Sequence, residues 1–512
     1  METEISYITR EELASWGIIS EEIQDKFLRI SKGLIDHGAM PKTQIIRQFL
    51  LIIDNPNKYK KAKNKFLNIT QYVIYLAEIG MPIALSKYGK SLLKELNVEV
   101  VLPEREKLAN QAKFTHELKE NGIPYKVWGK EDIEEGAYNQ MNIASKLPIS
   151  VAGALMPDAH QGYGLPIGGV LATTHNTIIP FAVGVDIACR MCMSIYDFPE
   201  SVLVNEHDKL KSLLMEHTHF GIGCTTRKKF NEDLFDKPDW EATKTIRDLK
   251  YKAYEQLGTS GTGNHFVEWG IVEIYAKDDL LNLPIGKYLA LLSHSGSRGF
   301  GGNIANYYSK LATQKTVLPD EAKHLAWLNL DNEEGMEYWI AMNLAGEYAS
   351  ANHHEIHNKI SKALGHQPLK RIENHHNFAW KEKLADGTSV MVHRKGATPA
   401  SKMELGIIPG SMTEPGFVIR GKGNVDAISS ASHGAGRQMS RTKAIKTISK
   451  ETFQKAIEEA GITLIGSGLD EAPMAYKDIN KVIAHQSDLV DVLAKFTPKI
   501  VRMADSKEKA ED

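Results

Sequence analysis

The residues best equipped for chemistry lie in Ser430-Ala431-Ser432-His433-Gly434-Ala435-Gly436-Arg437-Gln438-Met439-Ser440-Arg441, where a histidine stands among small residues. Small residues let a bulky polyanion approach backbone N–H groups, and glycine adopts unusual φ/ψ at little steric cost. Arg437 and Arg441 add planar forks suited to phosphate. A largely neutral imidazole so placed can accept a phosphoryl or nucleotidyl group. Taken alone, the stretch fits a glycine-rich turn with an incidental histidine equally well.

Further chemistry-bearing residues recur upstream. Asp186 and Cys189 stand three positions apart, near enough for one metal site on a turn or strand end. A thiolate can bridge two divalent ions and a carboxylate suits harder ones such as Mn2+; a core cysteine beside a capping aspartate is the plain alternative. Asn264, His265 and Glu268 follow the glycines 258, 261 and 263. That Gly-x-x-Gly-x-Gly run is weak evidence for a dinucleotide fold, and the polar residues behind it are wrong for one. Residues 289–293 read as a buried strand delivering His294, with Arg298 four positions on. His376 and Asn377 precede an expected strand over 389–393. Cys189 and Cys192 form a Cys-x-x-Cys with no second pair, and Cys192 and Cys224 read as packing. His353 and His357, at i and i+4, have zinc spacing but sit in a polar helical context. Tyr476 suits base stacking or ordinary packing.

These residues need elements to position them. The 512 residues, 42% hydrophobic and 25% charged with a net charge of −2, suit a globular chain with a sizeable core. The near-neutral balance argues against a generic nucleic-acid coat but allows a local basic site. Three cysteines argue against a disulfide framework. No long apolar run and no signal-peptide pattern occur, so no membrane partner and a cytoplasmic location are expected. Residues 1–130 read as a helical accessory region, with Ile23, Phe27, Ile30 and Leu34 at helical spacing and the pattern continuing over 48–53. The basic run at 55–65 reads as a solvated face. Residues 131–505 form the expected catalytic domain, strand-rich from about Ile143, and 506–512 a charged tail. Residues 156–170 read as turn punctuation, and 318–365 as helix.

One cysteine, one aspartate and three histidines can hold two transition-metal ions beside phosphate-cradling turns, which points to nucleotidyl or phosphoryl transfer. The ordered motifs MPDAHQGYGLPIGG, GVDIAC, GTGNHFVE, HSGSRG, HHNFA, HRKGAT, IPGSM, SHGAGR and DEAPMAYKD then resemble the RtcB family of GTP-dependent RNA ligases, from about Tyr125 to near the C-terminus. The resemblance implies an α+β class, a mixed fold with a strand-rich catalytic core and a helical N-terminal extension. It makes Asp186, Cys189, His265, His294 and His376 the ligands of two Mn2+ ions, with Cys189 shared. His433 becomes the nucleophile toward the α-phosphate of GTP, leaving a histidine–GMP intermediate. Asn264, Glu268, His376, Asn377, Pro409, Gly410, Ser411, Met412, Gly434, Ala435 and Gly436 correspond to the guanylate pocket, and Tyr476 to the residue that stacks on guanine.

The implied partners are RNA ends bearing a 3′-phosphate or 2′,3′-cyclic phosphate and a 5′-hydroxyl, in RNA repair or tRNA splicing. Arg298 and Arg437 are the candidates for holding RNA phosphates. An archease-type activator fits the family, and a monomer is the expected assembly. The chain departs from the family pattern at Thr413-Glu414-Pro415-Gly416-Phe417, where Gly416 replaces a serine able to touch the nucleotide. Arg502 stands near the place of a guanine-contacting lysine, and Pro399 follows HRKGAT where arginine is common. These changes keep two alternatives open: an altered nucleotide donor or end specificity on the same fold, or a non-catalytic RNA-binding relative.

Overall fold

The computed structural model describes residues 7–15, 21–36, 42, 45, 116–226 and 233–505. The pattern expected at 48–53, the basic run at 55–65 and the tail at 506–512 lie outside the described residues. The chain divides into two compact units, Met1–Lys113 and Phe114–Asp512. In the first, helices Arg10–Ser15 and Glu21–Asp36 are described, with Leu13 and Phe27 buried.

The division falls earlier than residue 130 for a physical reason. Strand Tyr125–Val127 pairs in parallel with residues 153–155 of strand Ser150–His160. Trp128 is buried just after it, and its indole N–H donates to Asp488 at 3.0 Å. Residues just before 130 therefore belong to the core of the second unit.

That unit is a mixed α+β structure. A five-stranded sheet runs Tyr125–Val127, Ser150–His160, Ile167–Thr174, Ser389–Lys395, Asn377–Lys383 in spatial order. An eight-stranded sheet runs Leu405–Ile408, Gly416–Gly421, Val490–Asp505, Phe266–Ile274, Gly286–Ser295, Arg190–Tyr196, Lys370–His375, with Thr463–Ser467 pairing in parallel along Val490–Asp505. Side chains alternate across the larger sheet, as the pleat requires. Leu289 and Leu291 pack with Tyr196, Trp269 and Ile356 on one face, while Ala290 and Leu292 pack with Met191, Val418 and Phe496 on the other. Helix Glu333–Leu364, stopped by left-handed Gly365, covers the first face.

Two local expectations are corrected. Residues 156–160 are the end of a strand, because the ladder with Ile167–Thr174 breaks between Leu155 and His160 and lets the chain continue extended. Such an irregularity tolerates Pro157 where a regular ladder would not. The helix expected over 318–365 begins only at Glu333; Asp320–Leu325 is a 3-10 turn and Leu328–Asn329 pairs with Thr177–Ile178.

Arg394 ties strand Asn377–Lys383 and its own strand to the segment that leads into His433. Its fully buried guanidinium donates to both Glu382 carboxylate oxygens at 2.5 and 3.1 Å, to Ser430 Oγ at 2.8 Å and to the Ile428 carbonyl at 2.9 Å. Removing one member of a buried pair strands the other charge, a loss of about 3–5 kcal/mol. Glu382→Ala is therefore expected to lower unfolding stability by about 3 kcal/mol. Urea denaturation checks this, and a loss within about 0.5 kcal/mol, the usual surface effect, would contradict it.

Candidate active site and metal centre

Antiparallel pairing brings four chemistry-bearing residues to one edge of the large sheet. Strand Gly286–Ser295 ends where Phe266–Ile274 and Arg190–Tyr196 begin, with His294 opposite both Phe266 and Met191. Lys370–His375 ends against Arg190. Cys189 and His265, just before their strands, thus meet His294 at a strand end and His376, just past one. Ala188 enters this corner at a left-handed φ of 57°, its N–H bonded to the Asn377 carbonyl at 2.7 Å. The next strand end supplies room: a Cβ on Gly296 would fall 2.1 Å from the Asp186 carboxylate.

The resulting donor set is tight. Cys189 Sγ lies 3.1 Å from His294 Nε2 and 3.5 Å from His265 Nε2, and Asp186 Oδ2 is 3.0 Å from His265 Nε2. His376 Nε2 is 3.3 Å from His294 Nε2. His265 Nδ1 donates to the Ser260 carbonyl at 2.7 Å and His294 Nδ1 to that of Asn264 at 3.1 Å. With those protons placed, both Nε2 atoms turn lone pairs toward each other and the thiol. Burial, reinforced by His265, holds His294 well below the ordinary imidazole value, and burial with His433 does the same to His376. Burial pushes the Asp186 carboxyl up, but His265, Cys189 and Arg298 together more than offset it and hold the carboxyl below its ordinary value. Convergent neutral imidazoles, a thiol and a carboxylate are the donors that borderline divalent ions take, so the residues fit a metal centre.

His433 stands beside this cluster, its ring centroid 4.9 Å from that of His376. Its Nδ1 lies 2.7 Å from Asp158 Oδ2, which also accepts the backbone N–H of His433 at 3.1 Å. A carboxylate at Nδ1 fixes the proton there and leaves Nε2 as a bare lone pair. Asp158 is wholly buried at the irregular end of its strand. Gly436 closes the loop over that strand at φ 74°, where a Cβ would fall 2.1 Å from the Asp158 carbonyl.

Asp186, the four strand-end residues, His433 and Gly436 line one cavity of about 600 Å3. Asn264, Glu268, Asn377, Pro409, Gly410, Ser411, Met412, Gly416, Gly434, Ala435, Gly436, Arg437 and Tyr476 all contribute to its wall. Burial raises the Glu268 carboxyl well above the carboxylate range. Arg437 stacks on Tyr476, 5.1 Å from the ring centroid, while donating to the Asp470 carbonyl at 2.6 Å and to buried Glu471 at 3.5 Å.

Two arginines stand elsewhere. Arg298 does not line the cavity; its buried guanidinium donates to Thr259 Oγ1 at 3.0 Å and to the Gly221 carbonyl at 3.3 Å. Its positive charge favours ionised Asp186. Arg502 pairs opposite Val267 and donates to the Leu214 carbonyl, whereas its neighbour Met503, opposite Phe266, faces the cavity. Strand parity places the charge on the far side of the sheet. His353 and His357 do form a buried cluster with Cys192. Yet Ser293 Oγ meets His353 Nδ1 at 2.7 Å and His357 Nε2 at 2.8 Å, while the Ser295 carbonyl and Ser194 Oγ take the remaining nitrogens. All four ring nitrogens are therefore hydrogen-bonded.

Asp158 and Lys395 carry site roles that spacing alone did not assign. Both sit inside quoted motifs, MPDAHQGYGLPIGG and HRKGAT, which was the available signal. Burial lowers Lys395 to about 7, and its ammonium donates to the Tyr163 carbonyl.

Metal content separates the two cysteine clusters. After purification in Mn2+ and dialysis, Cys189→Ser and His294→Ala are expected to retain at least about tenfold less metal than the parent chain. Cys192→Ala should retain as much as the parent. Mass spectrometry of the bound metal checks this, and the reverse pattern would move the centre to Cys192.

Comparison with known proteins follows the same residues. A family profile described as tRNA-splicing ligase RtcB matches residues 140–504. RNA-splicing ligase RtcB of Escherichia coli (strain K12) is 35% identical over 413 residues, covering 73% of this chain and 96% of that protein. tRNA-splicing ligase RtcB of Methanococcus maripaludis is 30% identical over 438 residues, covering 72% of this chain and 91% of that protein. The one of Nanoarchaeum equitans is 28% identical over 473 residues, covering 77% and 99%. The strand-end cluster and the His433 loop fall within the matched span, and the chain belongs to the RtcB family of RNA ligases.

Proposed function

We propose that this RNA ligase uses GTP to join a 3′-phosphate or 2′,3′-cyclic phosphate end to a 5′-hydroxyl end through a GMP adduct on His433. The observation that carries the reading is His433 beside the donor cluster, with Nδ1 fixed by Asp158 at 2.7 Å. Asp186, Cys189, His265, His294 and His376 would hold two Mn2+ ions. When bound, these ions would neutralise and orient phosphate oxygens for in-line displacement.

The chain's own residues account for the remaining steps. His433 Nε2 attacks the α-phosphorus of GTP, the bond to the bridging β-phosphate oxygen breaks, and pyrophosphate leaves. Asp158 retains the Nδ1 proton and stabilises the positive charge that develops on the ring, as a carboxylate does for imidazole elsewhere. At a cyclic end, water first attacks phosphorus and the bond to the 2′-oxygen breaks, which releases the 3′-phosphate. An oxygen of the RNA 3′-phosphate then attacks the phosphorus of the adduct, the P–N bond breaks, and His433 is regenerated. Finally the 5′-hydroxyl oxygen attacks the RNA 3′-phosphorus, its proton passes to water, and GMP leaves.

Tyr476, squared off by Arg437, suits stacking on the base, and Glu268 suits its Watson–Crick edge. A carboxylate accepts from both N–H groups that guanine presents there. Arg502 faces away from this pocket, which favours a second reading in which the donor is another nucleotide. An archease-type activator and a monomeric state accompany the proposal as expectations, and a cytoplasmic location follows from the sequence pattern alone.

Incubation with Mn2+ and α-labelled GTP, then denaturing electrophoresis, tests the first step. The parent chain should give an acid-labile labelled band and His433→Ala none. Asp158→Asn should slow labelling by about 10²–10⁴-fold, the usual worth of a positioned proton-holding group. A covalent adduct on His433→Ala would overturn the assignment, and labelling by ATP but not GTP would select the second reading.

Glu268→Gln should abolish labelling by GTP while stabilising the empty protein at neutral pH. A carboxyl whose folded pKa is raised favours folding fully only below the unfolded value near 4.3, and that contribution is lost as pH rises toward the folded value. The thermal midpoint of Glu268→Gln minus that of the parent should therefore grow between about pH 4 and pH 8. A difference that stays flat with pH would contradict it.

A further inference from the structure

We propose that Tyr163 is the stacking platform for the terminal nucleobase of the RNA strand that carries the 3′-phosphate, an assignment that rests on the ligase reading above. Tyr163 lines the same cavity as His433, yet 72% of its surface is exposed. Exposed tyrosines on loops are ordinary. This one is distinguished by how firmly its backbone is fixed while its ring is left open.

The loop is clamped on both sides of the residue. The Gln161 N–H donates to Glu134 Oε1 at 2.6 Å. Gly162 exchanges two hydrogen bonds with the Gln140 amide, at 2.9 and 2.5 Å. The Tyr163 carbonyl accepts the buried Lys395 ammonium. Gly164 turns the chain at φ 71°, where a Cβ would fall 2.7 Å from the His324 carbonyl. The ring makes a T-shaped contact with His324, with centroids 6.1 Å apart and planes at 73°, and most of its surface stays open to solvent.

An aromatic face held rigidly at the rim of a phosphate-handling cavity is what sequence-tolerant recognition of single-stranded ends uses, because every base has a π face. The identity of the strand follows from position. Lys395, which holds the Tyr163 carbonyl, precedes Gly396, and a Cβ on Gly396 would lie 3.3 Å from His433 Cε1. Gly396 thus runs beside the reacting histidine, while Lys395 just before it lines the same cavity and holds the Tyr163 backbone. In a 3′-phosphate end the base lies one ribose from the phosphate, so a phosphate beside Lys395 and His433 puts its own base at the rim. A 5′-hydroxyl end brings no terminal phosphate to that cation.

Fluorescence anisotropy with short labelled oligonucleotides tests this, using one with a 3′-phosphate, one with a 5′-hydroxyl and blocked 3′ end, and a 3′-phosphate oligonucleotide whose last nucleotide is abasic. Tyr163→Ala should weaken binding of the intact 3′-phosphate end about tenfold. Tyr163→Phe should stay within about twofold of the parent. The abasic end should bind the parent about tenfold more weakly, and Tyr163→Ala should add no further loss. Thermal midpoints confirm that the variants fold. Equal affinity of parent and Tyr163→Ala, a loss that persists on the abasic end, or a loss confined to the 5′-hydroxyl strand would each overturn the proposal. If the folded parent binds no RNA end, the ligase reading fails and the stacking role with it.

Discussion

Three imidazoles reach the cavity with Nδ1 already committed to a fixed oxygen: His265 to the Ser260 carbonyl, His294 to that of Asn264, and His433 to Asp158. Each is thereby held in one tautomer, with a bare Nε2 directed inward. In the proposed mechanism that lone pair would be a metal donor on His265 and His294 and a nucleophile on His433. The same local chemistry thus serves two roles, and the acceptor distinguishes them. A neutral carbonyl suits a ligand whose charge is balanced by a cation, whereas a carboxylate suits a ring that becomes positive when it reacts.

The arrangement burdens the fold. Several histidines, Glu268 and Lys395 are buried enough to be driven toward their neutral forms, and neutral polar groups still need partners. The two-sided apolar packing around Leu289, Leu291, Ala290 and Leu292 provides the rigid frame that offsets this. On the helix-facing side, Ser293 and Ser295 bind His353 and His357 and so hold the strand that carries His294 from behind.

Much of this was legible in the sequence. Apolar residues over 289–293 announced a buried strand ending at His294, and that strand exists. Glycines next to His433 announced close backbone approach, and Gly436 bears it out. What could not be read was long-range or depended on parity. Nothing near Asp158 in sequence says that it meets His433, 275 positions away. Arg502 and Met503 differ by one position on a strand, and only the pairing register decides which faces the pocket. His353 and His357 have metal spacing on a helix, but the serines that satisfy them lie on strands far away in sequence.

That dependence on register has a consequence for how the enzyme comes into being. A one-residue slip of Phe266–Ile274 against Gly286–Ser295 would turn Glu268 and Phe266 to the helix side and bring Val267 and Trp269 toward the nucleotide. The slipped sheet would still bury apolar residues on both faces, so hydrophobic burial alone distinguishes the two arrangements poorly. The ligand cluster does distinguish them, because Cys189, His265, His294 and His376 come from four separate strand ends and converge in one alignment only. Metal capture would then act during folding as a proofreading step, favouring the alignment in which the sheet can also do chemistry.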